Sequence, residues 1–229
     1  MSGEKIKVIH VDIGGCEGCS VSFLRSLPLI SDKCAAKTLY TVDSIDELLE
    51  NDVDIAFVSG SVCLNDEETI ETLKSVRRRA KILIAFGSCA SFGGVTRFSR
   101  GGQEPKPSHR TFAPLNQVVE VEYSIPGCPP PPQTVNSFMI AYQRQIVTQL
   151  AFFSKLSEFK KLSGFDLIDD IVLTGLCMGC GACEVSCPTG AIKLIERRPN
   201  LIVEKCIRCG TCYVRCPRAM QLLIRGVKK

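Results

Sequence analysis

Eight cysteines toward the C-terminal end fall into two runs of one pattern. Cys177, Cys180, Cys183 and Cys187 form the first, and Cys206, Cys209, Cys212 and Cys216 the second, with Pro188 and Pro217 directly after the last cysteine of each. Three thiols on a tight loop, with two residues between neighbours, can converge on three corners of one iron-sulfur cube. The fourth, followed by a proline that turns the chain, crosses to the other cube. The spacing therefore predicts two 4Fe-4S clusters, one held by Cys177, Cys180, Cys183 and Cys216, the other by Cys206, Cys209, Cys212 and Cys187. Cys-x-x-Cys pairs also make zinc sites, but zinc ribbons set two such pairs apart by a longer loop and have no Cys-Pro closing each run. A module of this kind passes single electrons and does no bond chemistry of its own.

The other cysteines are scattered, so the elements that would position them decide their meaning. Up to about residue 130 the chain alternates apolar runs rich in Val, Ile, Leu and Phe with helix-like runs, the signature of a parallel sheet wrapped by helices. Strands are predicted over 7–13, 38–42, 54–59, 81–86 and 118–125. Helices are predicted over 20–27, over 44–50 with a Ser44/Glu47 capping box, and over 67–79. This is a flavodoxin-like α/β pattern, an open parallel sheet with helices on both faces. Loops that follow the C-terminal ends of such strands gather at one edge. Cys16 and Cys19 follow the first strand, Cys63 the third, Cys89 the fourth and Cys128 the fifth, so all five are candidates to meet there. Glycines flank them at Gly14, Gly15, Gly18, Gly60, Gly87 and Gly127, consistent with close backbone approach and amide donors aimed at sulfur.

The predicted organisation is a first domain over 1–133, a linking helix within 134–165 and a ferredoxin domain (α+β) over 166–229. Residues 134–162 repeat apolar side chains at helical spacing, which reads as core packing rather than a membrane surface. The segment 97–114, with Gly101, Gly102, Pro105, Pro107 and Pro114, reads as a long functional or interfacial loop.

The 229 residues are 45% hydrophobic and 23% charged, enough for one sizeable core and a small appended domain. Fourteen cysteines in short clusters speak for metal rather than a disulfide framework, which belongs to short secreted chains. With no leader-like segment at the start and no run of about 18 apolar residues, the expected location is cytoplasmic and no direct membrane insertion is expected. The formal charge of +4 counts every cysteine as neutral. If twelve cysteines ligate as thiolates and three oxidised cluster cores each carry about +2, the charge becomes about −2, and the basic balance would mostly offset the chain's own clusters. The run Arg77, Arg78, Arg79 has no interleaved aromatics and ends a predicted helix, where cations suit the dipole; nucleic-acid binding is not expected.

The motifs Cys16-Glu17-Gly18-Cys19, Gly87-Ser88-Cys89-Ala90 and Ile125-Pro126-Gly127-Cys128-Pro129-Pro130 resemble those of the small subunits of nickel-iron hydrogenases. Thr96-Arg97-Phe98, Gly101-Gly102-Gln103, Gly175 to Gly181 and Cys212-Tyr213 narrow the resemblance to the gamma subunits of coenzyme F420-reducing hydrogenases, over nearly the whole chain. The resemblance implies that Cys16, Cys19, Cys89 and Cys128 hold a third 4Fe-4S cluster, proximal to a nickel-iron centre in a separate large subunit. It further implies a flavin (FAD) subunit that reduces coenzyme F420, and a higher-order hetero-oligomer. Subunits related to the cluster subunit of complex I have adjacent cysteines where this chain separates Cys16 from Cys19. Ser59-Gly60-Ser61 stands where relatives commonly carry a glutamate implicated in proton traffic.

Cys63 is a further candidate beside the third cluster or in place of a ligand, whereas Cys34 and His10 read as core residues and His109 lies in the long loop. The chain carries no ligand set for nickel, no glycine-rich dinucleotide fingerprint and no flavin site, so no residue is assigned a catalytic role. The implied function is that of a non-catalytic electron-relay subunit of an oxidoreductase. Alternative acceptors are a heterodisulfide reductase or a ferredoxin, and a non-hydrogenase redox complex is the reading from another class.

Overall fold

The computed structural model describes residues 5–94 and 112–225. Five strands form one parallel sheet: β1 (Ile6–Asp12), β2 (Cys34–Thr38), β3 (Val53–Ser59), β5 (Ala80–Phe86) and β7 (Tyr123–Ile125). Their order is β2-β1-β3-β5-β7, the flavodoxin-like arrangement. The short strands β4 (Val62–Cys63) and β6 (Phe112–Ala113) pair antiparallel beside it. Four helices complete this part: α1 (Gly18–Ile30), α2 (Ile45–Leu48), α3 (Glu67–Arg79) and α4 (Ser88–Phe92).

The central strands are near-continuous apolar runs because both faces of the sheet are covered. Ile9, Val11, Val58, Leu73, Val76 and Leu83 fill one side. Val8, Phe23, Phe57, Phe86, Phe138 and Met139 fill the other. Helix α3 has the bounds its sequence predicts, because Asp66 accepts from the backbone N–H groups of Glu68 and Thr69 and three arginines close its last turn. Each of those arginines meets an acid: Arg77 reaches Glu122 at 2.8 Å, Arg78 Glu71 at 2.8 Å and Arg79 Asp52 at 3.3 Å. The run is a solvated, ion-paired helix end.

Three elements depart from expectation. The second strand lies at Cys34–Thr38 rather than 38–42, since the backbone N–H of Thr38 donates to the Thr41 hydroxyl and Thr41 bonds back to the Thr38 carbonyl, closing a turn. The fifth strand keeps only Tyr123–Ile125 of 118–125, because Leu115–Gln117 coil into a helical turn. The single long helix expected over 134–162 is two, α5 (Pro132–Gln143) and α6 (Val147–Ser157). Gln145 breaks it with φ of 51°, and its side chain donates to the Tyr142 carbonyl at 2.7 Å. Most of the predicted long loop, including His109, lies outside the described residues.

The C-terminal part follows with α7 (Gly164–Leu167), a π-helical turn over Ile168–Val172, α8 (Ala182–Val185), the hairpin of β8 (Ile192–Ile195) and β9 (Arg198–Leu201), α9 (Thr211–Val214) and α10 (Pro217–Leu223). Its core of Leu167, Ile171, Ile192, Tyr213 and Ala219 also takes in Phe92 from α4. No helix among the described residues is long and apolar enough to cross a membrane.

Phe57 is fully buried, with its ring edge-on to Phe86 at 5.7 Å and to Phe138 at 6.2 Å. Phe57→Ala is expected to lower unfolding free energy by about 3–5 kcal/mol, measured as a shift of the urea midpoint under anaerobic conditions.

Candidate functional site

The register of the sheet sets the strand ends level. Asp12 pairs with Ser59, Val58 with Ala85 and Phe86 with Ile125, so the chain leaves β1, β3, β5 and β7 at one edge. The turns beyond them are laced together. The backbone N–H of Gly87 donates to Ile125 at 2.9 Å, that of Ser88 to Gly127 at 2.9 Å and that of Ser61 to Gly14 at 3.0 Å.

This lacing gathers Cys16, Cys19, Cys89 and Cys128. Burial pushes the Cys19 thiol well above its ordinary range, and nearby charge on Cys89, Asp12, Cys16 and Cys128 adds to the effect. Burial likewise pushes Cys128 up to about 12, with Cys209, Cys89 and Cys16 contributing. The effects of Cys16, Cys89 and Cys128 on Cys19, and of Cys16 and Cys89 on Cys128, place these four thiols near one another. Cys63 is not among them: it sits on β4, opposite Phe112 of β6.

The cradle is built around glycine. A Cβ on Gly87, where φ is +93°, would lie 2.3 Å from Cys19 Sγ, and one on Gly94 would lie 2.4 Å from Cys89 Sγ. Cysteines carried to one sheet edge by glycine-lined turns are soft sulfur donors that suit a multinuclear iron-sulfur core, which takes up thiolate charge.

In the C-terminal part, two small cavities each collect cysteines from both runs. One is lined by Cys177, Cys180, Cys183 and Cys216, together with Leu167, Ile171 and Leu194. The other is lined by Cys187, Cys206, Cys209 and Cys212, with Ile192, Leu201 and Gly164. Cys187 and Cys216 have thus exchanged runs, as a two-cube module requires. Burial raises Cys183 to about 11, and it raises Cys209 and Cys212 as well. Cys187 moves the other way. Burial opposes its ionisation, but donors from Ile192, Thr189 and Ala191 outweigh that cost, and the Ala191 N–H lies 3.1 Å from the sulfur.

Two features were not read from sequence. Ser88, 2% exposed, donates its hydroxyl to the Cys209 carbonyl at 2.6 Å and accepts from the Gly127 N–H at 3.2 Å. Asp12 accepts from Ser59 Oγ at 2.6 Å and from Ser20 Oγ at 3.3 Å, and His10 Nε2 lies 3.0 Å from Ser59 Oγ. Because the Ser59 proton points to Asp12, His10 donates, which fixes the tautomer with Nε2 protonated. Burial holds His10 down at about 4, against the pull of Asp12, so it is a neutral core residue stacked on Phe23. Cys34 is buried too, next to the Ile30 carbonyl, and burial raises it to about 11. Register alone points to the Asp12–Ser59 pair; no local signal marks Ser88.

The chain belongs to the nickel-iron hydrogenase small-subunit-like family, for residues 16–142 match the family model described as NADH ubiquinone oxidoreductase, 20 Kd subunit. Residues 170–217 match a 4Fe-4S dicluster domain. Among individual relatives it is similar to the coenzyme F420 hydrogenase subunit gamma of Methanosarcina barkeri, 39% identical over 85% of this chain and 80% of the relative. The same-named subunit of Methanococcus voltae is 35% identical over 85% and 88%. The NAD-reducing hydrogenase HoxS subunit delta of Cupriavidus necator is 33% identical over 55% and 73%.

Gly87→Ala is expected to empty the sheet-edge site, lowering iron by about four atoms per chain. The raised values of Cys19 and Cys128 mean that both hold protons at neutral pH and must release them to ligate. Iron retention by this site against a chelator is therefore expected to strengthen as pH rises from about 6 to 8 and to weaken as it falls.

Proposed function

We propose that this chain is the electron-relay subunit of a cytoplasmic nickel-iron hydrogenase complex. In this reading it holds three 4Fe-4S clusters between a partner large subunit that oxidises hydrogen and an FAD-bearing partner that reduces coenzyme F420. The observation that carries the reading is the third cysteine group at the sheet edge, joined to the ferredoxin-like module by the hydrogen bond from Ser88 to the Cys209 carbonyl.

A cubane in each site would supply one-electron transfer and no bond-making chemistry. The chain's residues supply the rest. Cys16, Cys19, Cys89 and Cys128 form the site offered to the large subunit, with Cys16 exposed. Cys187, Cys206, Cys209 and Cys212 form the middle site, with all but Cys187 buried, which keeps water from its sulfurs. Cys177, Cys180, Cys183 and Cys216 form the outer site, with Cys180 exposed. Around the outer site Leu173 and Val185 stand 74% and 86% exposed, alongside Leu176 and Met178. Apolar side chains so placed suit contact with a partner, here the flavoprotein. The cytoplasmic placement is supported by fourteen free cysteines, which a reducing compartment preserves. The names of the two gamma-subunit relatives support coenzyme F420 as acceptor.

The similarity to a subunit of an NAD-reducing hydrogenase favours one second reading, the same relay serving another acceptor. Anaerobic purification of the native complex separates the two. Co-purifying nickel and FAD with hydrogen-dependent reduction of coenzyme F420 is expected; nickel without that activity supports the second reading, and a complex without nickel overturns both. In the same complex, Cys180→Ser is expected to abolish most deazaflavin reduction while leaving hydrogen–deuterium exchange at the large subunit intact.

A further inference from the structure

Helix α4 carries Cys89 of the sheet-edge site, and both its ends dock into the loop that carries the middle site. At its start, the Ser88 hydroxyl donates to the carbonyl of Cys209 at 2.6 Å. At its end, Phe92 packs on Gly210, where φ is +69° and an added Cβ would lie 2.9 Å from the ring. The same Ser88 oxygen accepts from the N–H of Gly127, the residue before Cys128. One buried hydroxyl therefore touches Cys209 itself and the residue before Cys128, and its own backbone continues into Cys89.

We infer that Ser88 is a positioning residue that couples the first two electron sites. This rests on the proposed relay function. From the sulfur of Cys89 a covalent path runs through the Cys89 and Ser88 backbone to the Ser88 hydroxyl, crosses one short hydrogen bond, and continues through the Cys209 carbonyl to the Cys209 sulfur. Electron tunnelling and magnetic exchange both fall steeply across empty gaps and less steeply along bonded atoms, so a short buried hydrogen bond is the favourable bridge between these ligands. With a cluster in each site, one electron would pass from the sheet-edge site to the middle site; no bond would form and no proton would move. Burial of the pair also fixes its geometry, since both the Cys209 carbonyl and the Gly127 N–H would otherwise lack this partner away from water.

The test uses the full chain loaded with iron and sulfide anaerobically and fully reduced. Ser88→Ala is expected to keep the wild-type iron content and lose the exchange part of the electron paramagnetic resonance splitting between the two neighbouring reduced clusters, leaving its through-space dipolar part. Ser88→Thr, which restores a hydroxyl, is expected to recover it. Full iron with unchanged splitting in Ser88→Ala overturns the inference, as does failure of Ser88→Thr to restore it. Loss of iron from Ser88→Ala overturns it too, by making the hydroxyl a requirement for building the site rather than for coupling. About eight irons in the wild-type chain would instead overturn the relay function beneath it.

Discussion

Thiol groups crowded together in a protein interior resist ionising, because each charge must leave water and face its neighbours. At the sheet edge burial is the largest cause that raises both Cys19 and Cys128, and charge on Cys89 and Cys16 adds to it in each case. A fold accepts such crowding when something positive is to be held there. The sheet exists, for function, to produce it: level strand ends at Asp12, Ser59, Phe86 and Ile125 and hydrogen-bonded turns bring together cysteines more than a hundred residues apart.

The C-terminal module solves the same problem locally. Its two cysteine runs are short loops that cross at Cys187 and Cys216, and the surrounding Leu, Ile and Tyr213 side chains form a core that encloses both cavities. Tyr213 is fully buried and donates to Asp170 at 3.0 Å, which anchors α9, and with it Cys212, against the π-helical turn. Phe92 enters this core from α4, so the parallel-sheet part and the C-terminal part share packing there.

What sequence reveals depends on how local the signal is. The eight C-terminal cysteines are legible because their spacing is the geometry. The parallel sheet is legible because buried strands such as Ala80–Phe86 are nearly all apolar. The second strand was displaced because its Cys34-Ala35-Ala36 stretch is short of β-branched residues, while the turn that follows it has more of them. The break at Gln145 was hidden by an apolar stripe that runs on through both helices. Cys63 follows the third strand and lies in β4, opposite Phe112. Ser88 was invisible for a different reason: its partner, Cys209, is 121 residues away.

The claim on which the account stands is that Cys16, Cys19, Cys89 and Cys128 form a third iron site. Iron and sulfide counted per chain in anaerobically prepared wild-type protein and in Cys89→Ser test it most directly. The account predicts about twelve irons in the first and about eight to nine in the second. About eight in both would contradict it.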